Sequence, residues 1–121
     1  MNLEGYEMME CGRGKFLKNR SEVISVNGTS GWIGFGKGVV LGYNLPNQER
    51  CDVFVKRLQE KVFSLVFKFS KEGQYKIIRG NSLGLSIKAL QQKYPGIGGE
   101  YRITCAENGA EGLFFLCEKK I

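Results

Sequence analysis

Val23-Ile24-Ser25-Val26-Asn27-Gly28-Thr29-Ser30-Gly31-Trp32-Ile33-Gly34-Phe35 is the stretch whose reading decides the fold. Its β-branched opening reads as a strand that Asn27-Gly28 ends. Beyond the turn, Ile33 and Phe35 alternate with glycines, so period two gives a second strand with one apolar face. On the other face Gly34 and Gly36 leave room for another backbone or a ligand to approach. Gly38 to Tyr43 holds one or two helical turns, and Asn44-Leu45-Pro46-Asn47 is a loop.

The next stretch has two local readings. Val53 and Val55, then Phe63, Leu65, Phe67 and Phe69, fit two strands around a turn near Gln59-Glu60-Lys61. The rival is a helix from Asn47 through Leu58, capped by Asn47 and carrying Phe54 and Leu58 at i,i+4. Further on, Gln74 to Ile78 and Leu83, Leu85 and Ile87 read as strands on either side of Arg79-Gly80-Asn81-Ser82. Lys88 to Tyr94 is a short run of helix formers stopped by Pro95-Gly96. Tyr101, Ile103 and Cys105 mark one face of a strand. Asn108-Gly109 supplies turn chemistry, and Leu113 to Cys117 is the last strand.

Displaced by 52 positions, Val23 falls on Tyr75, Gly28 on Gly80, Ser30 on Ser82, Ile33 on Leu85 and Phe35 on Ile87. Past the short helix the displacement becomes 48, so that Val53 falls on Tyr101, Val55 on Ile103, Leu65 on Leu113 and Phe67 on Phe115. The change places a four-residue length difference in the loop after the helix, where insertions are tolerated. This internal repeat favours the strand reading of Cys51 to Leu58. It predicts a mainly β chain with short helices (α+β), a small barrel built from two pseudo-repeated strand–strand–helix–hairpin halves. The expected layout is an N-terminal arm over 1–20 and one barrel-like domain over 21–121, with repeats over about 22–70 and 74–119. One half is too small to bury its own apolar faces, whereas two can close on each other and remove exposed sheet edges.

Composition agrees with one folded domain: 121 residues, 42% hydrophobic and 12% aromatic. No apolar run approaches the ~18 residues of a membrane helix. The N-terminal residues carry acids where a signal peptide has bases, so a cytoplasmic protein is expected, with no membrane partner. A net charge of +6 favours an anionic partner, nucleic acid first. Residues 1–10 hold Glu4, Glu7 and Glu10 without a base. The next ten hold Arg13, Lys15, Lys18 and Arg20 without an acid, a pattern suited to an arm that orders on phosphate or to a solvated tail.

Catalytic chemistry is not expected. Histidine, the usual base at neutral pH, is missing, and no paired carboxylates or activated nucleophile stand out. Gly31 to Lys37 matches G-x-x-x-x-G-K, but Gly38 replaces the Ser or Thr that would hold Mg²⁺. Cys11, Cys51, Cys105 and Cys117 contain no C-x-x-C pair, so reduced, partly buried thiols are expected rather than a zinc site. Cys105 and Cys117 flank the last turn and are placed facing each other across it. Neither a metal nor a cofactor is called for.

The run Lys76-Ile77-Ile78-Arg79-Gly80-Asn81-Ser82-Leu83-Gly84-Leu85-Ser86-Ile87-Lys88-Ala89-Leu90, followed by Gly98-Gly99-Glu100-Tyr101-Arg102-Ile103, resembles the AbrB/MazE-like swapped-hairpin DNA-binding domains. The resemblance covers about a third of the chain by motif. It implies an interleaved barrel docked on DNA through a basic patch containing Lys76, Arg79, Asn81 and Ser82. The first half departs from it, with Ile24, Asn27, Thr29 and Ser30 at the matching positions and no base among them. The proline that usually follows the second strand is also missing from Ile87-Lys88-Ala89. The expected function is therefore a sequence-dependent DNA-binding regulator with a one-sided surface, to which Lys88 and the arm residues Arg13, Lys15, Lys18 and Arg20 contribute. The alternative is a small inhibitor or adaptor, of the kind phages and mobile elements encode, that binds a single host protein through Tyr6, Trp32 and Tyr43. Either is compatible with a monomer or a homodimer.

Overall fold

The structure is a computed structural model that describes residues 23–59, 62–80 and 82–120. Strands β1 (Val23–Val26) and β2 (Trp32–Phe35) are joined by a tight turn, in which the Asn27 carboxamide oxygen accepts the backbone N–H groups of Thr29 and Ser30 at 2.9 and 3.0 Å. Gly31 leaves the turn at φ 79°, and a Cβ there would lie 2.1 Å from the Ile87 carbonyl oxygen. Its own carbonyl accepts the Ile87 N–H, so only glycine fits where the two chain segments meet.

Helix α1 (Lys37–Gly42) and a 3₁₀ turn (Leu45–Asn47) lead into the long hairpin of β3 (Arg50–Gln59) and β4 (Val62–Ser70). The rival helix does not form: Pro46-Asn47 is spent in the 3₁₀ turn, and Cys51 pairs with Phe69, Val53 with Phe67 and Val55 with Leu65. Then follow β5 (Tyr75–Lys76), β6 (Ile78–Arg79), β7 (Leu83–Ser86), the single turn α2 (Leu90–Lys93), and the hairpin of β8 (Gly99–Gly109) and β9 (Gly112–Lys119). All nine strands form one sheet in the order β5-β3-β4-β9-β8-β1-β2-β7-β6. Each pairing is antiparallel.

The two ends of that order, β5 and β6, are consecutive in sequence. Tyr75 pairs with Cys51 on one edge, while Ile78 pairs with Gly84 on the other. Between them Ile77 buries its side chain, and its N–H donates to the Glu49 carbonyl at 3.1 Å. One five-residue segment thus serves both edges, and the sheet is a nearly closed barrel. Arg50 straps the preceding turn to β3, its Nε reaching the Gly73 carbonyl at 2.6 Å and its Nη2 the Gln74 carbonyl at 3.1 Å. Asp52 accepts the Gln74 N–H at 2.7 Å.

Inside the barrel Phe35, Phe67, Phe69 and Phe115 meet edge-on or tilted, with centroids 5.1–5.7 Å apart. Ile24, Ile33, Leu65, Leu85 and Tyr101 complete this core without exposure. The Tyr101 hydroxyl donates to the Ile97 carbonyl at 2.7 Å, so its burial leaves no orphaned polar atom.

The last hairpin departs from the expected phase. A β-bulge between Ile103 and Cys105 puts Ile103 opposite Cys117 but Cys105 opposite Leu116. Cys105 and Cys117 therefore do not face each other, because the extra residue turns Cys105 away from the core side that Cys117 occupies.

Gly31→Ala is expected to destabilise the fold by about 1–3 kcal/mol, from a strained φ and a clash with backbone that cannot yield. Gly80→Ala, with nothing within 4 Å of the added carbon, should leave the fold nearly unchanged. Urea midpoints of the two variants and the parent check this.

Candidate nucleic-acid interface

Period two places Ser25, Trp32, Gly34, Gly84, Ser86 and Ile78 on the outer face of β1, β2, β7 and β6, because Ile24, Ile33, Phe35, Leu83 and Leu85 point inward. Across this face Ser25 lies opposite Gly34, Gly34 opposite Gly84, and Gly84 opposite Ile78. Trp32 lies opposite Ser86.

The room left by the glycines is taken by the protein itself. A Cβ on Gly34 would be 3.0 Å from the Trp32 Nε1, and one on Gly84 would be 2.5 Å from its Cζ2. The indole therefore lies across both glycines, half-buried, with its long edge spanning β2 and β7. This corrects the expectation that Gly34 holds space for a ligand. The G-x-x-x-x-G-K match proves to be this strand followed by the six-residue α1, whose Gly36 cap offers no side-chain hydrogen bond.

The sequence-predicted binding residues divide into two groups around β7. Lys76 lies on β5, opposite Arg50 of β3 and two residues before the Ile78 that faces Gly84, and β5 passes close to β7 across the closing seam. Lys88 follows β7 at its C-terminal end, where Trp32 faces Ser86, and its Cα would be 3.1 Å from a Cβ on Gly31. Both lysines are exposed, and neither has a hydrogen bond or ion pair among the described residues. At the other end, Arg79 lies opposite Leu83, beside the exposed Ser82.

Arg79 does not present a free guanidinium. Its Nη2 donates to the Pro46 carbonyl at 2.8 Å and to the Gln48 carbonyl, tying the closing segment to the 3₁₀ turn. Asn81, Arg13, Lys15, Lys18 and Arg20 lie outside the described residues, as do Tyr6 and Cys11. Tyr43 is no surface anchor, since its ring packs edge-on against Phe115 at 4.8 Å.

Trp32 and Ser86 belong to the surface group, yet the nucleic-acid-binding set drawn from the sequence left them out, and Trp32 entered only as an anchor for a protein partner. The signal was present: an aromatic two residues before a glycine, with glycine and serine alternating on a second strand in the same phase. Only the register of β2 against β7 makes them neighbours.

The described residues include no group of three or more His, Cys, Asp and Glu that could hold a metal ion, and no helix long and apolar enough to cross a membrane. Cys51 and Cys117 are free thiols inside the barrel. Burial pushes both well above the ordinary thiol range, reinforced at Cys51 by the Asp52 carboxylate and at Cys117 by Cys51. Cys105 is disulfide-bonded, so the expectation of reduced thiols does not extend to it. Burial, with Cys117 close by, likewise raises the Tyr101 phenol. No family model, curated protein or solved structure matches this chain.

The core thiols and phenol stay protonated in the fold but ionise once unfolded, at about pH 8.5 and 10. Their contribution is whole below those values and is lost as pH rises, because the unfolded state then binds fewer protons than the native one. Urea midpoints are expected to be level from pH 6 to about pH 8 and to fall steadily above it. Cys51→Ala with Cys117→Ala should flatten the early part of that fall. At pH 8 the two native thiols should resist iodoacetamide until denaturant is added.

Proposed function

We propose that this protein is a sequence-dependent DNA-binding regulator of AbrB/MazE-like type, in which one chain supplies both halves of the barrel. The two-half reading is supported by register. In β2 and β7, Ile33 lies opposite Leu85, its own counterpart at a displacement of 52. In β4 and β9, Phe67 lies opposite Phe115, its counterpart at 48. A pseudo-two-fold axis through each pair exchanges β1 with the β5/β6 segment, β2 with β7, β3 with β8 and β4 with β9, and returns the same strand order.

The equivalence differs from the sequence alignment in two places: against β2 and β7 the register matches buried Val26 with buried Ile77, at a displacement of 51, and the second difference lies in the long hairpins. Cys51 pairs with Phe69, and Ile103 with Cys117. The displacement of 52 therefore persists into β3 and β8, and the change to 48 falls within the hairpin rather than in the loop after the helix. Hairpin length is free to vary there without disturbing the ladder at its base.

The observation that carries DNA binding is the group of Lys88, Trp32 and Ser86 at one end of β7, with Lys76 on the adjoining closing segment. Two cations without an ion pair among the described residues accompany a planar ring and a hydroxyl, a set suited to phosphate and base contact. At the sequence displacement of 52, the counterparts of Lys76 and Lys88 in the first half are Ile24 and Gly36, so the surface is one-sided. A protein-binding adaptor is the second reading, favoured by Ile78, 44% exposed on the same face.

Titration of duplex DNA binding against salt tests the proposal. Affinity should fall steeply as salt rises, and Lys76→Ala with Lys88→Ala should weaken binding and lower the log–log slope by about 1–2. No binding at low ionic strength would reject it. A stoichiometric, nuclease-resistant protein captured instead would favour the adaptor.

A further inference from the structure

The sole tryptophan of the chain is neither a core residue nor a lone surface aromatic. Two glycines on neighbouring strands give its ring a flat floor: Gly34 lies under the Nε1 edge and Gly84 under the Cζ2 edge. On both strands the inward positions are large and apolar, and the outward ones beneath the ring are bare. An indole held in this way has little freedom left to lose when another ring stacks on it.

Its surroundings are complementary to a nucleic-acid strand. Lys88 lies at the same end of β7 as Trp32, Ser86 stands directly opposite the ring, and Lys76 is on β5, which closes the seam beside β7. The outward positions beside the ring, at Ser25, Gly34, Gly84 and Ile78, carry no charge. Of the carboxylates on the flanking strands, Glu100 is paired with Lys120 at 3.4 Å, and Asp52 accepts the Gln74 N–H. A planar aromatic accompanied by two cations that have no ion pair among the described residues matches a base with its adjacent phosphates.

We infer that the Trp32 indole is a stacking platform for an unpaired base, with Lys76 and Lys88 holding the adjacent phosphates, so that the preferred ligand is single-stranded DNA. The inference rests on the DNA-binding reading and specifies the form of DNA it takes. In a closed duplex the base faces are already stacked on their neighbours, and a ring on a flat sheet cannot reach them.

The test uses the intrinsic fluorescence of Trp32, read together with binding measured independently by anisotropy of labelled oligothymidylate and of a blunt duplex. Saturating quenching by the single strand is expected, with the duplex binding more weakly and quenching little. Trp32→Ala should bind the single strand about 5- to 150-fold more weakly, the worth of one stacked base. Trp32→Phe, which keeps an aromatic face, should retain much of the affinity. Should the alanine variant lose the far-ultraviolet dichroism of the parent, the phenylalanine variant and the parent's quenching decide the matter. Single-strand binding without quenching, or a folded Trp32→Ala that binds as the parent does while Lys76→Ala does not, would overturn the stacking role and leave DNA binding intact. Tight duplex binding with no gain for the single strand would do the same. Absence of binding to either probe would overturn both.

Discussion

Closure of the sheet by Tyr75–Arg79 is the constraint on which the rest of the structure depends. A curled sheet ends in two rows of unpaired backbone groups, and here one segment pairs with both. The hinge is Ile77, whose side chain enters the core while its N–H turns to the Glu49 carbonyl. Arg50, Asp52 and Arg79 then hold the segment and its preceding turn to the neighbouring chain by hydrogen bonds to backbone. The two arginines are committed to backbone carbonyls and Asp52 to a backbone N–H because the short strands cannot supply enough ladder bonds of their own. This also explains why Arg79, the most prominent base of the Arg79–Ser82 turn, works for the fold.

The same closure sets the surface chemistry. It brings the closing segment that carries Lys76 beside β7, whose Ser86 faces Trp32. Strands β2 and β7 can approach this segment only in one phase, since a shift of one residue would turn Ile33 and Leu85 outward. The glycines at 34 and 84 are thus outward for the same reason that the core is filled, and the tryptophan lies over them because that side of the sheet is otherwise bare.

Strand identity was legible wherever apolar residues alternated without interruption, as at Ile33 and Phe35, at Leu83 and Leu85, and from Phe63 to Phe69. Strand β3 was legible only through the internal repeat proposed from the sequence, because Phe54 and Leu58 fit a helix equally well. Three features were not legible. The bulge after Ile103 is an extra residue in a strand whose pattern continues past it, so the alternation misplaced Cys105. The division of Tyr75–Arg79 between two edges depends on which backbone partner each N–H finds, and side-chain pattern does not record that. The occupation of the Gly34 and Gly84 hollows by Trp32 required the cross-strand register. The basic residues were identifiable by type, but only the structure separates Arg79, engaged with Pro46 and Gln48, from Lys76 and Lys88.

The strand order also dictates when this chain can fold. Strand β1 has β2 and β8 as neighbours, and β4 has β3 and β9, so these two early strands each wait for a partner synthesised after β7. Long-range pairings of this kind are slow to form, because loop closure must precede the contacts that reward it. A nascent chain that has emerged only as far as β7 would hold its long hairpin with the edge of β4 uncovered and the apolar faces of β1 and β2 half-satisfied. Until β9 is free of the ribosome, the barrel remains an open sheet with adhesive edges, a state that favours binding by chaperones or pairing between neighbouring nascent chains.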